Sequence, residues 1–213
     1  MQARYQAIND EIARNCDLVS RNPASVTLIA VSKTQSIENV RKLYDLGHRH
    51  FGESRLQELT PKAEALPKDI VWHFIGKLQS NKLRKAAEIC DVIHTIETES
   101  QVKEISKLSK QIQVLIEVNI ADEEQKSGIL VKSLDVLHES IIQSNLAKFR
   151  GLMTIGPIVR EAEDSRPYFE KLRRLNEKIG GEWLSMGMSK DFGVAIQEGA
   201  THIRVGTSLF GER

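Results

Sequence analysis

With 213 residues, 40% of them hydrophobic and 28% charged, the chain has the length and make-up of one large soluble domain rather than of a disordered or membrane protein. A formal net charge of +1 excludes a dedicated nucleic-acid binder, which needs a concentrated basic surface, and only the segment from Lys77 to Lys85 is locally basic. Two cysteines, Cys16 and Cys90, make neither a disulfide framework nor a zinc site, and no apolar run reaches signal-peptide length or the roughly 20 residues of a membrane span, so a cytoplasmic home is expected.

Tyr5, Ile8, Ile12 and Val19 recur at helical spacing and predict a helix ahead of any strand, ending near the Asn22-Pro23 break. The β-branched run "VTLIAV" (Val26 to Val31) reads as a strand buried on both faces, followed by a helix that carries Ile37, Val40 and Tyr44 and stops at Gly47. The alternation then repeats. "HRHFG" is followed by a helix after Glu53, "VWHFIG" by one after Ser80, and "DVIHTI" by one bearing Val102, Ile105 and Leu108. "IQVLIEVNI" (Ile112 to Ile120) precedes a helix with Leu130, Leu134, Leu137 and Ile141, and "FRGLMTI" one with Phe169, Leu172, Leu175 and Ile179. "EWLSMGMS" and "THIRVG" complete eight strands. With no Pro/Gly/Ser-rich linker between them, eight β/α units predict an α/β fold: a single (β/α)₈ TIM barrel over residues 1–213 with an extra N-terminal helix. Compact loops would account for a chain shorter than the roughly 250 residues usual for that barrel.

Barrel active sites lie at the C-terminal ends of the strands, with phosphate often held after strands seven and eight. Lys33 sits at such an end. A lysine there can be partly desolvated and act as a nucleophilic amine toward a carbonyl, or it can simply reach water. "SMGMSKDFGVAIQEGATHIRVGTSLFG" (Ser185 to Gly211) supplies two candidate phosphate loops: Ser189 is expected to cap the helix running to Gln197, and Gly206, Thr207 and Ser208 to open a last turn with free backbone N–H groups. Arg204 lies inside the last strand, where a carboxylate such as Glu117 or Glu53 would be its alternative partner. Glu117 and Asn119 share one strand face, expected to be the barrel interior. His48 and His50 share another and could ligate a metal, although a third ligand is wanting. His73 and His94 read equally as satisfied barrel histidines. "DFG" at Asp191 to Gly193 stands without any other kinase motif, and no GxGxxG, Walker-type loop, HExxH or GxSxG occurs.

"AVSKTQ", "HFGESRLQE", "WHFIGKLQSNK", "VNIADEEQKSGI", "RGLMTI", "LSMGMSKD" and "IRVGTSLFGER" stand in the order seen in the YggS/PROSC family of pyridoxal 5′-phosphate homeostasis proteins, and this resemblance runs from about Val26 to Arg213. It implies one barrel of the alanine racemase N-terminal type (pyridoxal phosphate fold-type III) with the cofactor bound as an aldimine to Lys33. It further implies that Ser189, Gly206 and Thr207 hold the phosphate, that Arg204 faces the pyridine nitrogen, and that Met188 lies nearby, with Ser54 and Asn119 completing the cofactor-binding set. The family commonly reads "GEN" and "GPLQSNK" where this chain has Ser54 and Lys77, so a serine stands where an asparagine contact would be.

An arginine, with a side-chain pKa above about 12, would disfavour protonation of the pyridine nitrogen and weaken the ring as an electron sink. Racemases of this fold type resemble a barrel joined to a second, β-rich domain that supplies a tyrosine base. Here Tyr5, Tyr44 and Tyr168 are all predicted on helices outside the barrel, and no second domain is expected. The resemblance therefore implies a binding protein that takes up and hands over pyridoxal phosphate, with pyridoxal-phosphate-dependent apo-enzymes as partners; a monomer is the default without the racemases' second-domain interface, and composition argues against nucleic acid or membrane as partners. The rivals are a racemase-class enzyme and a cofactor-free Schiff-base aldolase. Lys126 is either a second amine for transfer or a solvated loop lysine.

Overall fold

The β-branched runs form strands where the sequence places them, and each is followed by a helix whose apolar side returns to the sheet. The computed structural model describes residues 1–211, so the last two positions of the expected domain and of its closing "GER" lie outside the described residues. In chain order the elements are α1 (Gln2–Asp17), β1 (Thr27–Val31), α2 (Ile37–Asp45), β2 (His50–Glu53), α3 (Leu56–Ala65), β3 (Val71–Phe74), α4 (Leu83–Ile89), β4 (Val92–Ile96) and α5 (Glu99–Ile105). There follow β5 (Ile112–Glu117), α6 (Leu134–Ile142), β6 (Ala147–Met153), α7 (Arg166–Lys178), β7 (Trp183–Met188), α8 (Phe192–Gln197), β8 (His202–Val205) and α9 (Thr207–Phe210). The strands pair in parallel and in sequence order, and β8 closes on β1, making an eight-stranded barrel.

Several strand ends differ from expectation: β6 runs Ala147–Met153 rather than Phe149 to Ile155, β3 stops at Phe74 rather than Gly76, and two further ends move for reasons outside the local sequence. β2 starts at His50 rather than His48, because the His48 ring turns out toward α1 and its Nε2 bonds the His50 carbonyl at 2.7 Å. β5 ends at Glu117 rather than Ile120, because the returning loop takes over its hydrogen bonds: Ile129 N–H donates to the Glu117 carbonyl at 2.8 Å and Asn119 N–H to the Ile129 carbonyl at 2.9 Å. Three helices are also shorter, and the first, α1, stops at Asp17, ahead of Val19 and the Asn22-Pro23 break. α5 stops at Ile105, short of Leu108, and α6 begins at Leu134, after Leu130 has led into a 3₁₀ turn.

Most of the core lies between the strands and the surrounding helices, where Phe51, Phe74, Phe169, Leu43 and Leu83 are fully enclosed. Ile8 and Ile12 of the N-terminal helix join it, and Arg4 donates to the Leu209 and Phe210 carbonyls at 2.9 and 3.0 Å, fastening α1 to the end of α9. Inside the barrel Val92, Leu115 and Met153 form a small apolar cluster with Trp183 against them, and Ile29 is buried beside Gly52. Polar residues occupy much of the rest. His73, His94, Glu117, Asn119, Ser185, His202 and Arg204 are all buried. A barrel interior built this way needs hydrogen-bond partners for each polar group, which branched aliphatic layers would not.

Candidate site at the C-terminal mouth

Closure of the barrel makes neighbours of strands at opposite ends of the chain. Ile29 and Ala30 of β1 lie beside Arg204 and Val205 of β8, and Met188 of β7 lies beside Arg204. The segments leaving these three strands, which carry Lys33, Ser189 and Gly206 with Thr207, therefore adjoin at one mouth.

Lys33 is exposed there, so in the protein alone its amine reaches water rather than being desolvated. Its backbone is firmly held. Ser32 N–H donates to the Gly52 carbonyl at 3.0 Å, and the Ser32 carbonyl accepts from the Lys62 ammonium at 2.7 Å. Thr34 takes the left-handed conformation, φ +64°, with its N–H donating to the Glu58 carboxylate. Such a backbone disfavours a non-glycine residue by about 1–2 kcal/mol and persists only where its surroundings impose it. Lys62 itself is buried between α3 and the barrel, 2.6 Å from Glu53 Oε1, and that oxygen also accepts from Ser32 Oγ at 2.7 Å. Burial pushes the Glu53 carboxyl up, and the bonds from Lys62 and Ser32 pull it back down.

After β7, the cap of α8 is Asp191 and not Ser189 as expected. The Asp191 carboxylate accepts from Met188 N–H at 2.7 Å and from Ser165 Oγ at 3.0 Å, which puts it ahead of the helix and leaves Ser189 half-buried in the turn. Among the described residues the Ser189 hydroxyl makes no hydrogen bond. Gly187 makes this turn possible: it has φ +87°, and a Cβ there would lie 2.5 Å from Ala195 Cβ and 2.9 Å from Phe192 Cα. Gly187→Ala combines a left-handed alanine with overpacking against α8, an expected loss of about 3 kcal/mol visible as a lowered urea midpoint. After β8, Gly206 caps α9, whose first internal bond runs from Leu209 N–H to the Gly206 carbonyl at 3.0 Å. The Thr207 and Ser208 N–H groups precede that bond and have no intrahelical acceptor. Two sets of donors thus border the mouth.

Arg204 lies beneath them, buried, and the alternative pairing with Glu53 or Glu117 is not what the structure shows. Its guanidinium donates to Ser185 Oγ at 2.7 Å and to the Thr154 carbonyl at 2.8 Å, while Glu53 faces α3 on the outer side of the sheet. Burial lowers the Arg204 pKa to about 10, against the nearby Glu117 and Asp191 charges, which raise it. Glu117, also buried, is pushed up to about 7 by desolvation and by Glu97, with Arg204 and Lys77 pulling it down. Asn119 is buried as expected, but both ends of its amide are engaged with the Glu123 backbone, at 2.8 and 3.2 Å, where it staples the loop after β5. Ser54 is half-buried just past β2, and Gly76 allows the next loop to close on it, since a Cβ at position 76 would lie 2.2 Å from the Ser54 carbonyl oxygen. Lys77 is exposed, 3.9 Å from the Glu97 carboxylate.

Other expectations resolve at the periphery. His48 and His50 do not share a ligating face: His48 packs edge-on against Tyr5 and Phe51, and His50 bonds His73. Among the described residues no cluster of His, Cys, Asp or Glu could hold a metal ion. Lys126 has the acidic surround expected of a loop lysine but is half-buried, its ammonium 2.6 Å from Glu123 Oε1 and 3.0 Å from the Gly156 carbonyl. Tyr5, Tyr44 and Tyr168 lie on the outer helices α1, α2 and α7. Sequence reasoning missed Lys62, Ser185 and Thr154, whose partners are remote in the chain.

The family described as "Alanine racemase, N-terminal domain" matches residues 9–213. The pyridoxal phosphate homeostasis protein of Aquifex aeolicus is 41% identical over 99% of this chain and 97% of the relative, and that of Escherichia coli is 36% identical over 97% and 94%. The solved structure of PipY from Synechococcus elongatus with pyridoxal phosphate bound superposes with a TM-score of 0.80 at 36% identity, covering 94% of this chain and all of that one. Alanine racemase from Corynebacterium glutamicum shares the fold, with a TM-score of 0.74 at 16% identity, but only 62% of its length is matched. Near-complete coverage by the first three, on a barrel whose strand ends gather Lys33, Ser189, Arg204 and Gly206, places this chain in the family of pyridoxal phosphate homeostasis proteins.

Proposed function

We propose that this protein binds pyridoxal 5′-phosphate at the mouth formed by β7, β8 and β1 and holds it in store for other proteins rather than using it in catalysis. The observation that carries the reading is the convergence of an exposed lysine, the Ser189 hydroxyl, the N–H donors that open α9 and a buried arginine on three adjoining strand ends. The donor set fits the group. Ser189, Gly206 and Thr207 offer a hydroxyl and backbone N–H groups to a phosphate, Lys33 offers a primary amine to the aldehyde, and Arg204 offers N–H donors to the ring nitrogen. Met188 and Ser54 would border the ring, and Asn119 would act at one remove by fixing the loop after β5. When bound, the cofactor supplies an electron-withdrawing ring and a reactive aldehyde. Arg204, a donor with no acceptor, keeps a proton off the ring nitrogen and so limits that electron withdrawal. The tyrosines on α1, α2 and α7 are far from the role of an opposing base, which favours a carrier over a racemase. Lys33 is the covalent attachment point, the carrier acts as a monomer, and pyridoxal-phosphate-dependent apo-enzymes are its recipients.

Incubating the protein with pyridoxal phosphate, recording its visible spectrum, reducing with borohydride and mapping the modified peptide tests this reading. A visible band with the label on Lys33, and no racemisation or transamination of common amino acids, is expected. A colourless protein overturns cofactor binding, and turnover at an enzymatic rate overturns the carrier.

A further inference from the structure

Behind Arg204 a chain of hydrogen bonds runs through the barrel interior. Ser185 Oγ is 3.0 Å from His94 Nδ1, His94 Nε2 is 2.9 Å from His73 Nδ1, and His73 Nε2 is 3.0 Å from His50 Nδ1. The four residues come from β7, β4, β3 and β2. His50 is the first residue of its strand, so the chain ends half-buried at the face of the barrel opposite the mouth. We propose that Ser185, His94, His73 and His50 form a one-way hydrogen-bonded column that positions Arg204 and links it to the proton inventory of that opposite face. The consequence for the cofactor rests on the proposed function, whereas the column itself does not.

Donor and acceptor chemistry fixes the direction. Arginine has only donors, so Ser185 Oγ accepts from Arg204. Ser185 is fully buried, and among the described residues its hydroxyl has two partners, Arg204 and His94. Its single proton is satisfied only by donation to His94 Nδ1. A neutral imidazole has one donor and one acceptor nitrogen, so His94 then donates from Nε2 to His73, His73 donates from Nε2 to His50, and His50 carries its proton on Nε2, outward. Burial keeps His73 and His94 neutral, as this order requires. Each lone pair in the column faces Arg204 and each N–H faces away. That alignment favours a buried cation to which no carboxylate is hydrogen-bonded.

The same logic couples the two ends. A His50 cation carries hydrogen on both nitrogens, so its Nδ1 no longer accepts. His73 and His94 must then donate from Nδ1, toward Ser185, whose oxygen receives two donors and whose own proton loses its acceptor. One proton is gained from solvent, and the others change place within the column. The groups facing His50 are His48 on its own segment, His73 from β3, Asp91 ahead of β4 and His202 from β8. Asp91 favours the cation, while burial opposes it more strongly, so the inversion belongs to acid solution below the ordinary histidine range.

The full-length protein, labelled with ¹⁵N-histidine and without added cofactor, provides the test. At neutral pH the ring nitrogens of His50, His73 and His94 are expected to show hydrogen on Nε2 alone, and acidification should transfer it to Nδ1 of His73 and His94 as His50 titrates. Ser185→Ala should disturb His94 first, and Ser185→Thr should restore it. Mixed tautomers at neutral pH, or titration of His50 with His73 and His94 unchanged, overturn the column. In a second arm the protein is loaded with pyridoxal phosphate. His50→Gln should keep the visible band and remove the acid limb of its pH dependence. A band whose pH dependence is the same with and without His50 overturns the coupling to the cofactor. Absence of any band overturns the proposed function instead, with the histidine spectra still deciding the column.

Discussion

Acidification from about pH 6 to about pH 4.5 is expected to remove about 5 kcal/mol of folding stability, comparable with the whole stability of many domains, about 5–15 kcal/mol. Burial depresses all six histidines in the fold, four of them strongly: His48 to about 4, His202 to about 3, and His73 and His94 well below their ordinary value. Unfolded, all four take up a proton near pH 6.5. A group whose pKa is depressed by folding gives its full stabilisation above the unfolded pKa and loses it as pH falls toward the folded one. Each loss amounts to about 1.4 kcal/mol per pH unit. Glu117 works in the opposite sense. Raised to about 7, it is protonated in the fold while the unfolded carboxyl is still ionised, so acid favours the fold through this residue, and Glu53, raised by burial, adds to it. The balance is two to three protons in favour of the unfolded chain, or about 3–4 kcal/mol per pH unit in this window. Urea unfolding from pH 7.5 to pH 4.5 should show the midpoint falling steeply below about pH 6. A flat midpoint would mean that the interior rings accept protons without disruption, which the column ending at Ser185 does not permit.

The residues responsible for this acid sensitivity illustrate which parts of the molecule are legible in the sequence. Eight strands are legible because each is a β-branched or aromatic run bounded by turn residues, and eight such units imply closure. Closure in turn makes Lys33, Ser189 and Gly206 readable as one site, since β8 must then lie beside both β1 and β7. The misplaced start of β2 and end of β5 follow from contacts that no local pattern encodes, the His48 ring at one and the returning Ile129 at the other. The Ser189 cap fails in a similar way, because Asp191 is claimed by Met188 N–H and by Ser165, which lies 26 residues earlier. His73 and His94 can be read as satisfied barrel histidines, but their partners cannot: Ser185 is 91 residues from His94. Lys62 is the least legible of all. In "LTPKAEA" it looks like an exposed helical lysine, and only the structure brings it under the Ser32 carbonyl.

Replacing that lysine by methionine is expected to destabilise the fold by about 3–5 kcal/mol, because it strands a buried carboxylate. Glu53 is fully enclosed, its Oε2 has no hydrogen-bond partner among the described residues, and Lys62 and Ser32 are the donors to Oε1. Without the ammonium, Glu53 retains one weak neutral donor and is driven to take up a proton. Glu53→Gln alone leaves the Lys62 ammonium buried beside an amide, with a loss of similar size. The double replacement Lys62→Met with Glu53→Gln removes both charges, so its loss should fall short of the sum of the single losses by at least about 1 kcal/mol. Losses that simply add would show that the pair carries no interaction of its own. The exposed Lys178–Asp135 pair, 2.9 Å apart on the outer helices, is the control, and Lys178→Ala should change stability by less than about 1 kcal/mol. Position distinguishes the two pairs further. Lys62 also holds the Ser32 carbonyl, one residue before Lys33 and two before the left-handed Thr34. Loss of that bond frees the segment to relax from a conformation disfavoured without it, so Lys62→Met should weaken retention of pyridoxal phosphate more than its stability loss alone would, measured at a temperature where the variant is still folded. Equal retention there would mean that Glu58 and the Gly52 carbonyl suffice to hold the Lys33 segment, and that the buried pair serves the fold alone.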